Sequence, residues 1–173
     1  MSSQVTKPEA TVPAIPRSVY PQACRLRLGL AVTDDLIRAS VELLEAGFQH
    51  PKIFDIALER IGVRPDRSIH PVFEEVMIDL GLWPSHREAT EYSIAARWND
   101  LLEQHSPLED FAPAAYHNFS VDIWESEVAA LVADLDDGLP WMTPAQREEC
   151  HTEIRSFCQR KLKRFDAAPN WDF

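Results

Sequence analysis

Glycine is scarce in this chain, and long apolar runs are missing. Five glycines in 173 residues are too few for a β-fold that is rich in tight turns. No apolar stretch approaches the ~18 residues that a membrane-spanning helix needs. The N-terminus has no cationic start followed by an apolar core. We therefore expect neither a membrane protein nor a secretory signal.

Cysteines are few, and no set of catalytic residues is complete. Cys24, Cys150 and Cys158 are odd in number and form no C-x-x-C pair, which predicts reduced thiols in the cytoplasm. His151 follows Cys150 directly, but adjacent residues of a helix point apart, so this pair does not predict a nucleophile and its base. A Gly-rich phosphate loop is also missing. The sequence favours a protein that is not an enzyme, and it predicts no cofactor.

Basic residues are scarce in one long segment. The net charge is −11, and residues 74–153 carry 18 acidic residues against three basic ones, a balance of −15. Residues 1–73 total +1 and residues 154–173 total +3. Direct binding of nucleic acid is not expected, because phosphate contacts need clustered Lys and Arg. The acidic segment instead favours a cationic partner, such as a basic protein surface.

Helix boundaries are well marked along the chain. Proline suits the first turn of a helix, and glycine suits the residue after the last turn. With apolar residues at helical spacing between them, the 13 prolines and five glycines predict an all-α fold. We expect a single-domain bundle of about six helices within residues 23–166, after an extended Pro-rich arm over residues 1–22 and before a tail over residues 167–173. The six helices are predicted over residues 33–46, 51–62, 71–81, 85–104, 120–136 and 143–165.

Two helix starts have the strongest local signals. Ser85 and Glu88 have the spacing of a capping box, in which each side chain bonds the backbone N–H of the other residue. Thr143 and Gln146 repeat that spacing around a proline. Both positions therefore predict the first residues of long helices.

Other boundaries rest on weaker signals. Thr33 is predicted to cap the first helix, and Pro51 and Pro71 are predicted to open the next two. Residues 106–115 contain two prolines and are predicted to form a loop. Residues 25–32 alternate briefly, so they fit either a short strand or the approach to the first helix.

The histidines allow a metal site as an alternative. His50 and His70 each precede a proline in two similar segments, so two equivalent helices would present them alike; convergent helix boundaries are the simpler explanation of the similarity. His70-x3-Glu74 and His117-x4-Asp122 resemble two motifs of hemerythrin-like di-iron bundles, but the His-x3-His pair of that family is missing. Whether the chain binds a metal stays unknown from the sequence.

An acidic group runs against helix electrostatics. Asp134, Asp136 and Asp137 stand at the C-terminal end of a predicted helix, where each negative charge is disfavoured by roughly 0.3–1 kcal/mol. One interpretation is that they bind a cation or a partner's Lys and Arg side chains. The other is a solvated helix end that the basic last helix neutralises.

These patterns lead to one functional prediction and one alternative. We predict an acidic cytoplasmic protein-interaction module, such as an inhibitor, an immunity-type protein or a regulatory adaptor, that binds a basic protein partner. A homodimer is compatible with this prediction. Trp83 and Trp141 stand at loop ends, where aromatic side chains serve as interface anchors. The alternative is a small helical-bundle enzyme or carrier with a metal or ligand in its core. The predicted partner-binding residues are Asp134, Asp136, Asp137, Trp141 and Trp83.

Overall fold

The computed structural model of the chain describes residues 13–59, 68–119 and 126–163, and within these ranges it is all-helical. Eight α-helices lie in the described part, where about six were predicted. A 3₁₀ helix (Leu108–Asp110) precedes the sixth, and a π-helical turn (Asp134–Gly138) and a 3₁₀ turn (Leu139–Trp141) follow the seventh. The helices are α1 (Val19–Arg27), α2 (Thr33–Glu45), α3 (Pro51–Ala57), α4 (Ile69–Asp79), α5 (His86–Glu103), α6 (Phe111–Phe119), α7 (Ala129–Ala133) and α8 (Pro144–Lys163).

Helix α1 was not predicted. It begins at Val19, inside the range predicted for the arm, and it includes Arg25 and Arg27 of the segment that also fitted a strand. Val19, Ala23 and Cys24 are fully buried. The remaining predictions for residues 1–12, 60–67, 120–125 and 164–173 lie outside the described residues.

Helix α6 replaces the loop predicted for residues 106–115, and that prediction was wrong. Pro113 is the third residue of α6, where its missing N–H costs no helical hydrogen bond. Phe111, Ala112 and Ala115 are buried in the C-terminal core at helical spacing. Burial of this face stabilises a segment that two prolines had suggested was irregular.

Both strong start signals are confirmed. The Glu88 amide donates to Ser85 Oγ at 3.2 Å, and the Ser85 amide donates to the Glu88 carboxylate at 2.9 Å. The Gln146 amide donates to Thr143 Oγ1 at 3.3 Å, and the Thr143 amide donates to Gln146 Oε1 at 2.8 Å. These reciprocal bonds satisfy N–H groups that have no partner within the helix.

The weaker start signals need correction at two sites. Thr33 is the first residue of α2 and makes no capping bond; its hydroxyl lies 3.3 Å from His70 Nε2 instead. Helix α4 begins at Ile69, two residues before Pro71. Pro51 does open α3, where His50 Nδ1 accepts a hydrogen bond from the Lys52 amide.

Two hydrophobic cores meet at one junction. The N-terminal core joins α1–α4, and the C-terminal core joins α5–α8. Between them, Tyr20 and Cys24 of α1 pack against Ala89 of α5. The Tyr20 and Tyr92 rings meet edge to face at 5.2 Å. In the described part of the chain, no helix has the length and apolar character to cross a membrane.

Trp98 is the centre of the C-terminal core. It is fully buried on α5, and its indole N–H donates to the Phe111 carbonyl at 2.8 Å. Its ring lies 5.7 Å from that of Phe157 on α8. On α8, the buried residues at helical spacing are Cys150, Ile154, Phe157 and Cys158.

Candidate functional site: an acidic groove beside α8

A groove of about 380 Å³ lies between α8 and the two turns that connect α7 to α8. The π-helical turn and the 3₁₀ turn form one wall, and the first three turns of α8 form the other. We call this concavity the acidic groove. Its lining residues are Asp134, Gly138, Trp141, Met142, Gln146, Glu149, Cys150 and Glu153.

Two leucines hold the first wall. Leu135 and Leu139 stand four residues apart and are both buried in the C-terminal core. Because they point inward, the aspartates between and before them stay on the surface. Asp134 then faces the groove. π-Helical turns are rare, and they often occur at functional sites.

The second wall is one face of α8. Gln146, Glu149, Cys150 and Glu153 recur at spacings of three and four residues, so their side chains share that face. Cys150 is only 8% exposed and lies on the floor of the groove. Its Sγ lies 3.8 Å from Met142 Sδ. The groove therefore combines carboxylates with a soft, apolar floor.

Trp141 stands at the edge of the acidic groove with its ring in solvent. It is 84% exposed, more than any other large hydrophobic residue of the described ranges. Trp98, in contrast, is fully buried. An indole that stays out of the core beside acidic side chains is a ready contact for a cation or an apolar group.

The carboxylates of the acidic groove are not neutralised by salt bridges within the described ranges. Neither Asp134, Glu149 nor Glu153 forms a salt bridge with any residue described there. The basic side chains of α8 bind other acids: Arg160 lies 3.1 Å from Glu127, and Lys161 lies 2.7 Å from Glu91. Within the described contacts, the basic side chains of the last helix therefore do not neutralise the groove carboxylates.

The surroundings of the Cys150 thiol disfavour its deprotonation. Burial raises its pKa, and the charges of Glu153, Asp134 and Glu149 raise it further. A thiol in this environment is a weak nucleophile, since the thiolate is the reactive form. The groove is therefore suited to holding positive charge and not to covalent catalysis by Cys150.

A buried ion pair supports the α8 wall, and the sequence analysis missed it. Glu91 of α5 has a side chain only 4% exposed, and it accepts hydrogen bonds from Lys161, Arg87 and the Glu127 amide. Burial alone would raise the pKa of Glu91, but these donors hold it below its ordinary value. One signal existed in the sequence: Lys161 stands at helical spacing from the apolar residues Ile154, Phe157 and Cys158.

The structure brings together only two of the predicted partner-binding residues. Asp134 and Trp141 line the acidic groove. Asp136 lies 3.5 Å from the Tyr116 hydroxyl, and Asp137 is exposed outside the lining. Trp83 packs against the N-terminal core, with the Arg27 guanidinium 5.7 Å from its ring centre.

Two histidines of the metal alternative, His50 and His70, lie in separate environments. His50 Nε2 is 3.1 Å from Asp79, whereas His70 faces Thr33. The two histidines are therefore not presented alike. Within the ranges that the structure describes, no group of three or more His, Cys, Asp and Glu side chains is arranged to hold a metal ion.

Comparisons with protein-family models, with curated proteins and with solved structures found no match to this chain.

Proposed function

We propose that this chain is an acidic protein-interaction module that binds a basic partner through the acidic groove. The observation that carries the proposal is the exposed Trp141 ring beside three carboxylates without a described salt bridge, those of Asp134, Glu149 and Glu153. An inhibitor, an immunity-type protein or a regulatory adaptor would use such a surface. A reducing compartment such as the cytoplasm fits the three unpaired thiols.

The groove chemistry suits an arginine side chain of the partner. A guanidinium stacks on an indole face, and its planar set of N–H donors bonds carboxylates on more than one side. Asp134 on one wall and Glu149 and Glu153 on the other supply those acceptors. A volume of about 380 Å³ is at the small end of ligand-binding cavities, which fits one side chain better than a large molecule.

The charge distribution supports rapid and salt-sensitive association. The groove lies within residues 74–153, whose charge balance is −15, and exposed acids close to it in sequence, such as Asp136, Asp137 and Glu148, add to the attraction for a basic partner over distances near the Debye length. Surface charge of this kind mainly raises the association rate. The groove then supplies the short-range contacts.

A labelled peptide tests the proposal. We would measure the binding of a fluorescein-labelled decapeptide of alternating arginine and glycine by anisotropy. The groove variant combines Asp134→Asn, Glu149→Gln and Glu153→Gln. It should bind about tenfold more weakly than the wild type, since each exposed ion pair contributes roughly 0.2–1 kcal/mol.

A matched control changes the same number of charges elsewhere. Glu45, Asp55 and Glu59 are exposed on the N-terminal half, so Glu45→Gln, Asp55→Asn and Glu59→Gln together give the same net charge as the groove variant. This control should retain wild-type affinity within about twofold. Equal losses in the two triple variants would mean that the peptide senses only total charge, and the groove proposal would be rejected.

A further inference from the structure

Arg147 makes a long-range polar connection beside the acidic groove. It is one of three basic residues in the acidic segment 74–153 and lies in the first turn of α8. Its guanidinium donates to the Glu109 carboxylate at 3.0 Å and to the Leu139 carbonyl at 3.0 Å. One side chain thus joins α8, the 3₁₀ helix before α6, and the 3₁₀ turn that carries Trp141.

The two bonds of Arg147 constrain the position of Trp141. Leu139 begins the three-residue turn that ends at Trp141, and α8 supplies the opposite wall of the groove. Holding the Leu139 carbonyl to α8 therefore fixes the spacing of the two walls. Glu109 keeps the guanidinium in place, and hydrogen bonds from its own backbone amide and from Arg147 hold the Glu109 pKa below its ordinary value.

We infer that Arg147 is a positioning residue for the acidic groove, which holds Trp141 where it meets an incoming cation. The inference rests on the proposed function of the groove. Arg147 itself is not among the lining residues, and its guanidinium is bonded to Glu109 and Leu139. Its effect on binding is therefore indirect and arises because a preorganised site loses less freedom when it binds.

Electrostatics and positioning predict opposite changes in peptide affinity when Arg147 is replaced. Arg147→Met removes a positive charge near the groove, so charge alone would strengthen the binding of a cationic peptide. If Arg147 holds Trp141, the same variant weakens binding. Arg147→Lys keeps the charge but offers a point charge in place of a planar fork, so it should restore binding only in part.

The experiment uses the same arginine–glycine decapeptide and the full chain. Arg147→Met should bind it about fivefold more weakly than the wild type, with Arg147→Lys in between. Arg97 is exposed on α5 within the same acidic segment, so Arg97→Met is the matched charge control. It should bind as tightly as the wild type or slightly more tightly. If Arg147→Met binds the peptide as tightly as the wild type or Arg97→Met does, or more tightly, the inference is overturned.

A second background separates positioning from a general loosening of the fold. In a Trp141→Ala protein, Arg147→Met should no longer weaken binding, because the side chain that Arg147 positions is gone. The same weakening in both backgrounds would also overturn the inference. If the wild type does not bind the peptide, or binds it no better than the groove variant, the proposed function and this inference both fail. If wild-type binding and the groove effect hold, failure concerns Arg147 alone.

Discussion

The two halves of the molecule use different interactions. The N-terminal half (α1–α4) packs mainly aliphatic side chains, and its buried polar residues in the described ranges are Thr33 and Ser40. The C-terminal half (α5–α8) surrounds the hydrogen-bonded Trp98 and buries Glu91, the sole charged residue buried within those ranges.

The two halves also differ in how many large hydrophobic residues they expose to solvent. Six of the seven large hydrophobic residues exposed in the described ranges lie in the N-terminal half, with Phe54, Leu58 and Ile78 among them. The C-terminal half exposes Trp141 alone of this class, beside carboxylates. The half that buries a charged side chain is therefore also the half that exposes an aromatic side chain beside carboxylates. The Glu91–Lys161 pair provides the connection, because it ties α5 to the helix that forms one groove wall.

The largest expected difference between the halves concerns their ion pairs. Lys161→Met leaves the buried Glu91 without its closest cation, so we expect a loss of about 2–4 kcal/mol in the free energy of unfolding. Lys52→Met removes a pair with Glu75 in the N-terminal half, where both side chains are largely exposed. It should leave stability nearly unchanged. Urea denaturation of both variants checks this.

A double variant distinguishes a lost partner from lost packing. Lys161→Met combined with Glu91→Leu removes both charges, and it should recover much of the stability that Lys161→Met loses, because no charge stays buried alone. Similar losses in Lys161→Met and Lys52→Met would show that the contrast between the halves is wrong.

A smaller expected effect is the loss of the stability that Glu91 contributes as the pH falls. In the folded protein the Glu91 pKa lies below the ordinary value of 4.5, so its ion pairs contribute stability above that pH and lose it as the pH falls through the folded pKa. We expect Glu91→Gln to be less stable than the wild type by about 1–2 kcal/mol at pH 7. The difference should narrow as the pH falls from 7 toward about 3, because the carboxyl group takes up a proton as the pH passes through its folded pKa. Urea titrations at the two pH values measure it; a difference that stays constant would contradict the assignment.

The smallest effect compares two thiols. Burial raises the pKa of Cys24 in the N-terminal half to about 12, whereas the groove carboxylates add to the effect of burial at Cys150. The groove variant should therefore speed alkylation of Cys150 by iodoacetamide about threefold, while Cys24 keeps its wild-type rate. Mass spectrometry resolves the two sites. Unchanged labelling at Cys150 would mean that the groove acids do not set the local potential.

The sequence by itself determined the all-α class and several helix boundaries. The Ser85–Glu88 and Thr143–Gln146 capping boxes involve residues three positions apart, so local hydrogen bonds decide them. The helix end at Gly81-Leu82 is equally local: Gly81 takes a φ of +66°, and the Leu82 amide bonds the Met77 carbonyl. Such signals predict structure because no distant residue is needed.

Only the tertiary structure decided α6 and the acidic groove. Phe111 becomes a helical core residue because Trp98, 13 positions earlier, donates to its carbonyl and packs beside it. Asp134 and Glu153 are also far apart in sequence, and they line one cavity because the turns between α7 and α8 pack beside α8. Helix caps depend on neighbours along the chain, whereas the groove depends on packing that juxtaposes distant residues. Local pattern therefore predicted α2–α5, α8 and the acidic character of the segment, but not which carboxylates and which tryptophan would meet.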